Sequence, residues 1–234
     1  MRRKIICALD TSDKEEAVRL VQRVKPYAAA FKIGHALTLN YGLDIVDMLH
    51  DAGAERIFLD LKFHDIPNSV ALAVREAARR RVWMMTLHLS GGPAMITAAV
   101  EEARIYPEIE RPCLVGVSVL TSIDQHVLTD HLGVARRLDD HMMAMSKLGT
   151  DLGLDGVVCS PEEITKIRPV IGTGIIVTPG IRAASGEVHD QRRVSDAATA
   201  LALGADYLVI GRALTGKRPP EEALQELGLD FSPA

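Results

Sequence analysis

Aromatic side chains are scarce in this chain: four Phe, four Tyr and one Trp amount to 4% of 234 residues. A surface that stacks successive bases of single-stranded nucleic acid needs more flat rings than that, so the core must be built from Ala, Val, Leu and Ile. An excess of charge of one sign is missing as well. The 27 basic and 31 acidic residues leave a formal net charge of −4. No global field therefore draws the chain to nucleic acid or an anionic membrane, and an anionic ligand must be held by local positive groups. Cysteine is limited to Cys7, Cys113 and Cys159, an odd set with no C-x-x-C spacing. Each lies in an apolar run, which argues for reduced core residues in a cytosolic protein rather than metal ligands. No apolar run approaches the roughly 18 residues of a membrane span. The first residues, M-R-R-K-I-I-C-A-L-D, reach Asp10 before the apolar region of a signal peptide can form. The expectation is a soluble, cytoplasmic protein with neither nucleic acid nor membrane among its partners.

What is present is a repeat of short apolar runs separated by helical stretches, the pattern of βαβ units. Eight strands are predicted, at Lys4–Leu9, Ala29–Ile33, Arg56–Leu61, Val82–Leu87, Cys113–Val119, Gly156–Cys159, Gly174–Thr178 and Asp206–Ile210. Several are apolar almost throughout, as parallel strands covered on both faces must be. Ser12 with Glu15 and Ser160 with Glu163 fit capping boxes, and Pro67 and Pro161 suit first helical turns. After Pro67, residues Val70, Val74, Ala77 and Ala78 share one helical face. Gly53, Gly153 and Gly204 each stand between a helix and the next strand, where a left-handed cap is needed. Together these features predict an α/β fold of one domain, a (β/α)8 TIM barrel over residues 1–234. A short C-terminal helix opens at Pro219 and Pro220 within an extension from about residue 217, and a loosely held tail follows Gly228.

Barrels of this kind carry their chemistry at the C-terminal ends of the strands. Charged and polar residues gather at those ends here: Asp10, Lys32, Asp60 and Lys62, His88 and Ser90, Thr121, the run Pro179–Arg182, and Gly211 with Arg212. Alternation along the third strand puts Asp60 and Lys62 on one side, and Asp65 adds a second carboxylate. A surface ion pair is the plain alternative, but such a pair does not require an apolar strand beneath it. Gly180 and Gly211 let backbone N–H groups approach an anion, and Arg212 can grip it bidentately. The polar stretch Arg182–Arg193 has the composition of a lid. A metal site at His64 with Asp60 and Asp65 is disfavoured, because Lys62 would set a fixed positive charge beside the ion. His64 is therefore read as structural or solvent-facing, and His88 as fixing the fourth loop by hydrogen bonding, with a direct ligand role the lesser reading. Trp83, Met142, Met143 and Met145 are read as packing residues.

The segment D-L-K-F-H-D-I-P-N, from Asp60 to Asn68, resembles the signature of orotidine 5′-monophosphate decarboxylases of bacterial type. C-A-L-D (Cys7–Asp10), F-K-I-G (Phe31–Gly34), V-L-T-S (Val119–Ser122), T-P-G-I-R (Thr178–Arg182) and V-I-G-R (Val209–Arg212) follow in the family's order. The resemblance covers nearly the whole chain. It implies a carboxy-lyase that needs no cofactor or metal and acts on a nucleotide substrate. Lys32, Asp60, Lys62 and Asp65 would form a charged array with Lys62 as proton donor. Asp10 and Lys32 would hold the ribose, Thr121 the pyrimidine and Gln191 the junction of base and phosphate, and Pro179, Arg182, Gly211 and Arg212 would also belong to the substrate-binding set. A homodimer is implied, in which Asp65, with Ile66 and Ser69, reaches the other subunit's site. Many relatives carry threonine where this chain has Ser69, so the hydroxyl is kept and the packing is looser.

Two other readings remain open from sequence. One is a related barrel that acts on a sugar phosphate with Mg2+; I-P-N after Asp65, V-L-T-S and Gln191 favour the nucleotide enzyme over it. The other is a phosphate-binding barrel without chemistry, against which the intact Lys32–Asp60–Lys62–Asp65 set speaks.

Overall fold

The computed structural model describes residues 4–181 and 197–229. Eight strands, β1 (Ile5–Ala8), β2 (Ala30–Ile33), β3 (Ile57–Phe63), β4 (Met84–His88), β5 (Cys113–Val117), β6 (Gly156–Val158), β7 (Ile175–Thr178) and β8 (Tyr207–Ile210), pair in that order. All pairs are parallel, and β8 pairs with β1 to close a barrel. The helices between them are α1 (Lys14–Val24), α2 (His35–Tyr41), α3 (Asp44–Asp51), α4 (Pro67–Arg79), α5 (Gly92–Ala103), α6 (Leu138–Asp151), α7 (Ile164–Ile171) and α8 (Ala197–Ala202). Two more, α9 (Arg212–Thr215) and α10 (Pro220–Glu226), follow β8. The expected single-domain barrel is what forms.

Alternation along the strands divides the apolar residues between two cores. Ile6, Ala8, Ala30, Phe58, Met84, Val115, Val177 and Val209 pack against one another inside the barrel. Their strand neighbours, among them Ile5, Cys7, Phe31, Ile33, Ile57, Leu59, Met85 and Leu87, belong to the layer between barrel and helices. This double burial is why the strands read as continuous apolar runs. The lower end of the interior holds aromatics: the Trp83 and Tyr207 rings meet edge to face, 5.1 Å apart, and the Arg56 guanidinium lies 5.1 Å over Trp83. Met142 is buried, and Met143 and Met145 pack against the outer layer.

The helices follow the sequence signals with some corrections. Val70, Val74, Ala77 and Ala78 are the buried face of α4, and Pro67 occupies its first turn. Gly53, Gly153 and Gly204 take φ of 103°, 98° and 112°, the left-handed region that relieves a residue without Cβ. Ser12 is not the cap of α1. Asp13 is, its carboxylate accepting from the Glu15 and Glu16 N–H groups, which favours an acid at the positive end of a helix. Strand β3 runs on to Phe63, past the expected stop at Leu61, while β5 ends at Val117, before Val119. The chain just beyond Gly228 is not loose, since Leu229 is 1% exposed and its N–H donates to the Leu224 carbonyl.

Candidate active site

The inward positions of β1 to β4 change character near the C-terminal end of the barrel. Above Ala8 stands Asp10, above Ala30 stands Lys32, above Phe58 stands Asp60, and above Met84 stand Thr86 and then His88. Asp10, Lys32 and Asp60, with Lys62 from farther along β3, form a ladder of alternating sign across three neighbouring strands. Lys32 Nζ lies 3.4 Å from Asp10 Oδ1 and 3.7 Å from Asp60 Oδ2, and Lys62 Nζ lies 2.9 Å from Asp60 Oδ1. The side chains of Lys32 and Asp60 are only 14% and 15% exposed, whereas Asp10 at the rim is 64% exposed.

Burial by itself would raise the Asp60 pKa, and it is the largest single influence there. The charges of Lys32 and Lys62, with hydrogen bonds from Lys62 and Thr86, outweigh it and hold the carboxyl below its ordinary value. Asp60 is thus a fixed anion, and both of its oxygens face ammonium groups. His88 is shifted down, first by burial and then by the neighbouring His64 and Lys62, so it is neutral at pH 7. Its ring meets that of exposed His64 with centroids 5.5 Å apart. Among the described residues this ring contact takes the place of the expected loop hydrogen bond.

Lys62 reaches the ladder through an irregular backbone. Its φ is +51°, a left-handed conformation that costs roughly 1–2 kcal/mol for a residue bearing Cβ. Strand β3 advances from Leu59 to Phe63 while β4 advances only from Met85 to Leu87, a bulge of the kind that re-aims a side chain beside a site. Inside it, the Lys62 N–H donates to Thr86 Oγ1 at 2.8 Å, and the Thr86 hydroxyl donates to Asp60 Oδ1 at 3.0 Å. Thr86 was not singled out from sequence. A hydroxyl at an inward position of the apolar run M-M-T-L-H was the available signal.

The remaining expected residues lie around this ladder. A Cβ on Gly211 would come within 3.2 Å of Asp10 Oδ2, so the β8 loop runs directly beside the start of the ladder. Arg212 is exposed at the first position of α9 and lines a recess of about 340 Å3 with Lys217 and Arg218. That recess lies between α9 and α10, and none of the ladder residues lines it. Pro179 and Gly180 follow β7, half-buried, with Gly180 at φ 82°. Thr121 is half-buried in the turn after β5. Ser69 is half-buried in the first turn of α4, and Ile66, just before it, is 66% exposed. The structure does not bring Asp65 into an ion pair with Lys62. Among the described residues its exposed carboxylate accepts the Ile66 N–H at 2.6 Å and forms no ion pair. Arg182, Gln191 and the expected lid lie outside the described residues.

The cysteines are inert packing groups. Burial, with the Asp10 charge, pushes the Cys7 thiol up to about 12, and burial likewise raises Cys113 and Cys159. Among the described residues no three of His, Cys, Asp and Glu converge as metal ligands, and no helix is long and apolar enough to cross a membrane.

Comparison with known proteins accords with this geometry. Two curated relatives are 42% identical: the orotidine 5′-phosphate decarboxylases of Vibrio cholerae serotype O1, over 96% of both chains, and of Vibrio vulnificus, over 98% of both. Among solved structures, orotidine 5′-phosphate decarboxylase from Lactobacillus acidophilus superposes with a TM-score of 0.83 at 31% identity, over 97% of each chain. An uncharacterized conserved protein from Geobacillus kaustophilus gives 0.81 at 34% identity, over 96% of this chain and 98% of that one. Residues 3–227 match the family model described as orotidine 5′-phosphate decarboxylase / HUMPS, and with the strand-end ladder in place the chain belongs to that family.

Proposed function

We propose that this protein removes CO2 from orotidine 5′-monophosphate to give uridine 5′-monophosphate, the decarboxylation of de novo pyrimidine synthesis. The observation that carries this reading is the Asp10–Lys32–Asp60–Lys62 ladder at the barrel mouth, in a chain whose named relatives are decarboxylases of that nucleotide. The bond between C6 and the carboxylate breaks, CO2 leaves, and the electron pair stays on C6. That pair lies in the plane of the pyrimidine, where the ring π system cannot spread it. A fixed cation beside C6 stabilises the charge as it forms, and the same ammonium then gives C6 a proton. Lys62 suits both tasks because Asp60, 2.9 Å from its ammonium, orients it. Solvent reprotonates the lysine, so no electron-accepting cofactor is required.

Binding at a distance completes the scheme. Asp10 and Lys32 take the ribose hydroxyls and Thr121 the pyrimidine. Gly211 and Arg212, with Pro179 and Arg182, take the phosphate, and Gln191 bridges phosphate and base. Energy from the phosphate contacts drives water from the site and orders the array. The exposure of Asp65 and Ile66 favours a homodimer in which these residues, with Ser69, complete the other subunit's site. A cytoplasmic location suits the pathway. Loss of orotidine 5′-monophosphate absorbance on adding the protein tests the reading, and activity that survives EDTA separates it from a Mg2+-dependent sugar-phosphate barrel. Absence of turnover, or its loss with EDTA, would overturn it. Mixing Lys62→Ala and Asp65→Asn proteins tests the shared site: hybrid dimers regain one intact site and therefore activity, whereas inactive mixtures would refute sharing.

A further inference from the structure

Strand β4 carries one hydroxyl at its inward positions, Thr86, which both donates to and accepts from β3. We propose that Thr86 is a positioning residue for decarboxylation: its side chain clamps the β3 bulge, so that the Lys62 ammonium and the Asp60 carboxylate meet substrate in one fixed arrangement. This rests on the decarboxylase reading above.

Three observations support the assignment independently of one another. First, Thr86 is 1% exposed, so its hydroxyl faces protein groups and acts on substrate only through them. Second, the partners are the two residues nearest the chemistry. The hydroxyl accepts the Lys62 backbone N–H at 2.8 Å and donates to Asp60 Oδ1 at 3.0 Å, the oxygen that also takes the Lys62 ammonium at 2.9 Å. Third, it acts where the β3–β4 register is broken. The Lys62 N–H finds a side-chain acceptor on β4 in place of a strand carbonyl, and Lys62 itself is held at a φ of +51°.

Without the hydroxyl two things change together. The Lys62 N–H loses its acceptor, and Asp60 Oδ1 keeps one donor of two, so its carboxylate gains freedom to rotate. Lys62 is fixed at its backbone and at its ammonium by this same pair of contacts, and the distance from Nζ to C6 is then no longer defined. If Asp60 alone oriented Lys62, removing the hydroxyl would leave turnover unchanged, which makes the proposal open to disproof.

The test compares Thr86→Val, which keeps volume and β-branching but lacks the hydroxyl, with Thr86→Ser, which restores it. With orotidine 5′-monophosphate as substrate, Thr86→Val is expected to lower kcat roughly 10- to 100-fold, the scale of a small misplacement of a reacting group. KM should change by no more than about threefold, since substrate contacts are untouched, and Thr86→Ser should recover kcat to within about threefold of wild type. Thermal unfolding of each variant checks that the barrel is intact. Should Thr86→Val fail to fold, Thr86→Cys, which offers only a weak donor and acceptor, is measured in its place against the same limits. Wild-type kcat in the hydroxyl-free variant, a rise in KM alone, or a serine variant as impaired as valine would each overturn the proposal. Inactive wild-type protein would instead overturn the decarboxylase reading on which it rests.

Discussion

Strand β3 carries Phe58 and Asp60 two residues apart on the same inward face, and the pair shows how differently the two levels of the barrel interior are made. At the lower level Phe58, Met84, Val115 and Ile6 exclude water and satisfy one another by packing. One step higher, a rise of about 6.6 Å along the strand, Lys32, Asp60, Lys62 and Thr86 are held by ion pairs and hydrogen bonds. Burying a Phe side chain stabilises the fold by roughly 1.5–3 kcal/mol. Burying Asp60 opposes its charge, and neighbouring cations must offset that cost. The lower level therefore holds the barrel together, and the upper level holds an electrostatic field in place.

Substitutions at the two levels should separate these contributions. The largest expected effect is at Lys62. Lys62→Ala removes the proposed proton donor and a fixed cation together, and turnover should fall by at least about 10^4-fold, while the melting temperature changes little because Asp60 retains Lys32. Residual turnover near the wild-type level would break the contrast. Phe58→Ala should do the reverse, costing about 3–5 kcal/mol of stability in denaturant unfolding with kcat of the folded protein nearly preserved. A parallel loss of kcat would mean that the two levels are coupled. Arg212→Ala, at the proposed phosphate end, should lower kcat/KM by about 100-fold if it binds phosphate as proposed, read at low substrate concentration; an unchanged kcat/KM would remove Arg212 from that proposal.

The smallest effect concerns pH. Asp60 is held below its ordinary value in the folded chain, so its contribution to stability is complete above the unfolded value of about 3.9 and is lost as pH falls through the folded value. Unfolding midpoints of wild type should therefore drop more steeply below about pH 4 than those of Asp60→Asn. Curves that stay parallel would show that the ladder does not hold the Asp60 charge.

Much of this was legible in the sequence, for reasons that individual residues make plain. Runs such as I-I-C-A and I-F-L announced strands buried on both faces, and Asp60 at the end of such a run marked a carboxylate at the barrel mouth. Gly53, Gly153 and Gly204 marked the turns back into strands. What stayed hidden depends on register and on competition between neighbours. Alternation put Asp60 and Lys62 on one side, and the two do meet, but through a bulge and a left-handed Lys62 that no spacing rule foretells. Thr86 stayed hidden for the same reason, because its partners are 24 and 26 residues away and are set by the broken register. Ser12 and Asp13 are both good caps, and only geometry selects Asp13. Asp65 forms no ion pair with Lys62 among the described residues, and its carboxylate accepts the Ile66 N–H instead.

The most direct test of the central claim, that the Lys62 ammonium delivers the proton to C6, uses the reverse of that step. Wild-type protein in D2O with uridine 5′-monophosphate and EDTA should exchange the C6 hydrogen for deuterium, followed by proton NMR, and Lys62→Ala should not. Exchange at the same rate in both proteins would contradict the account.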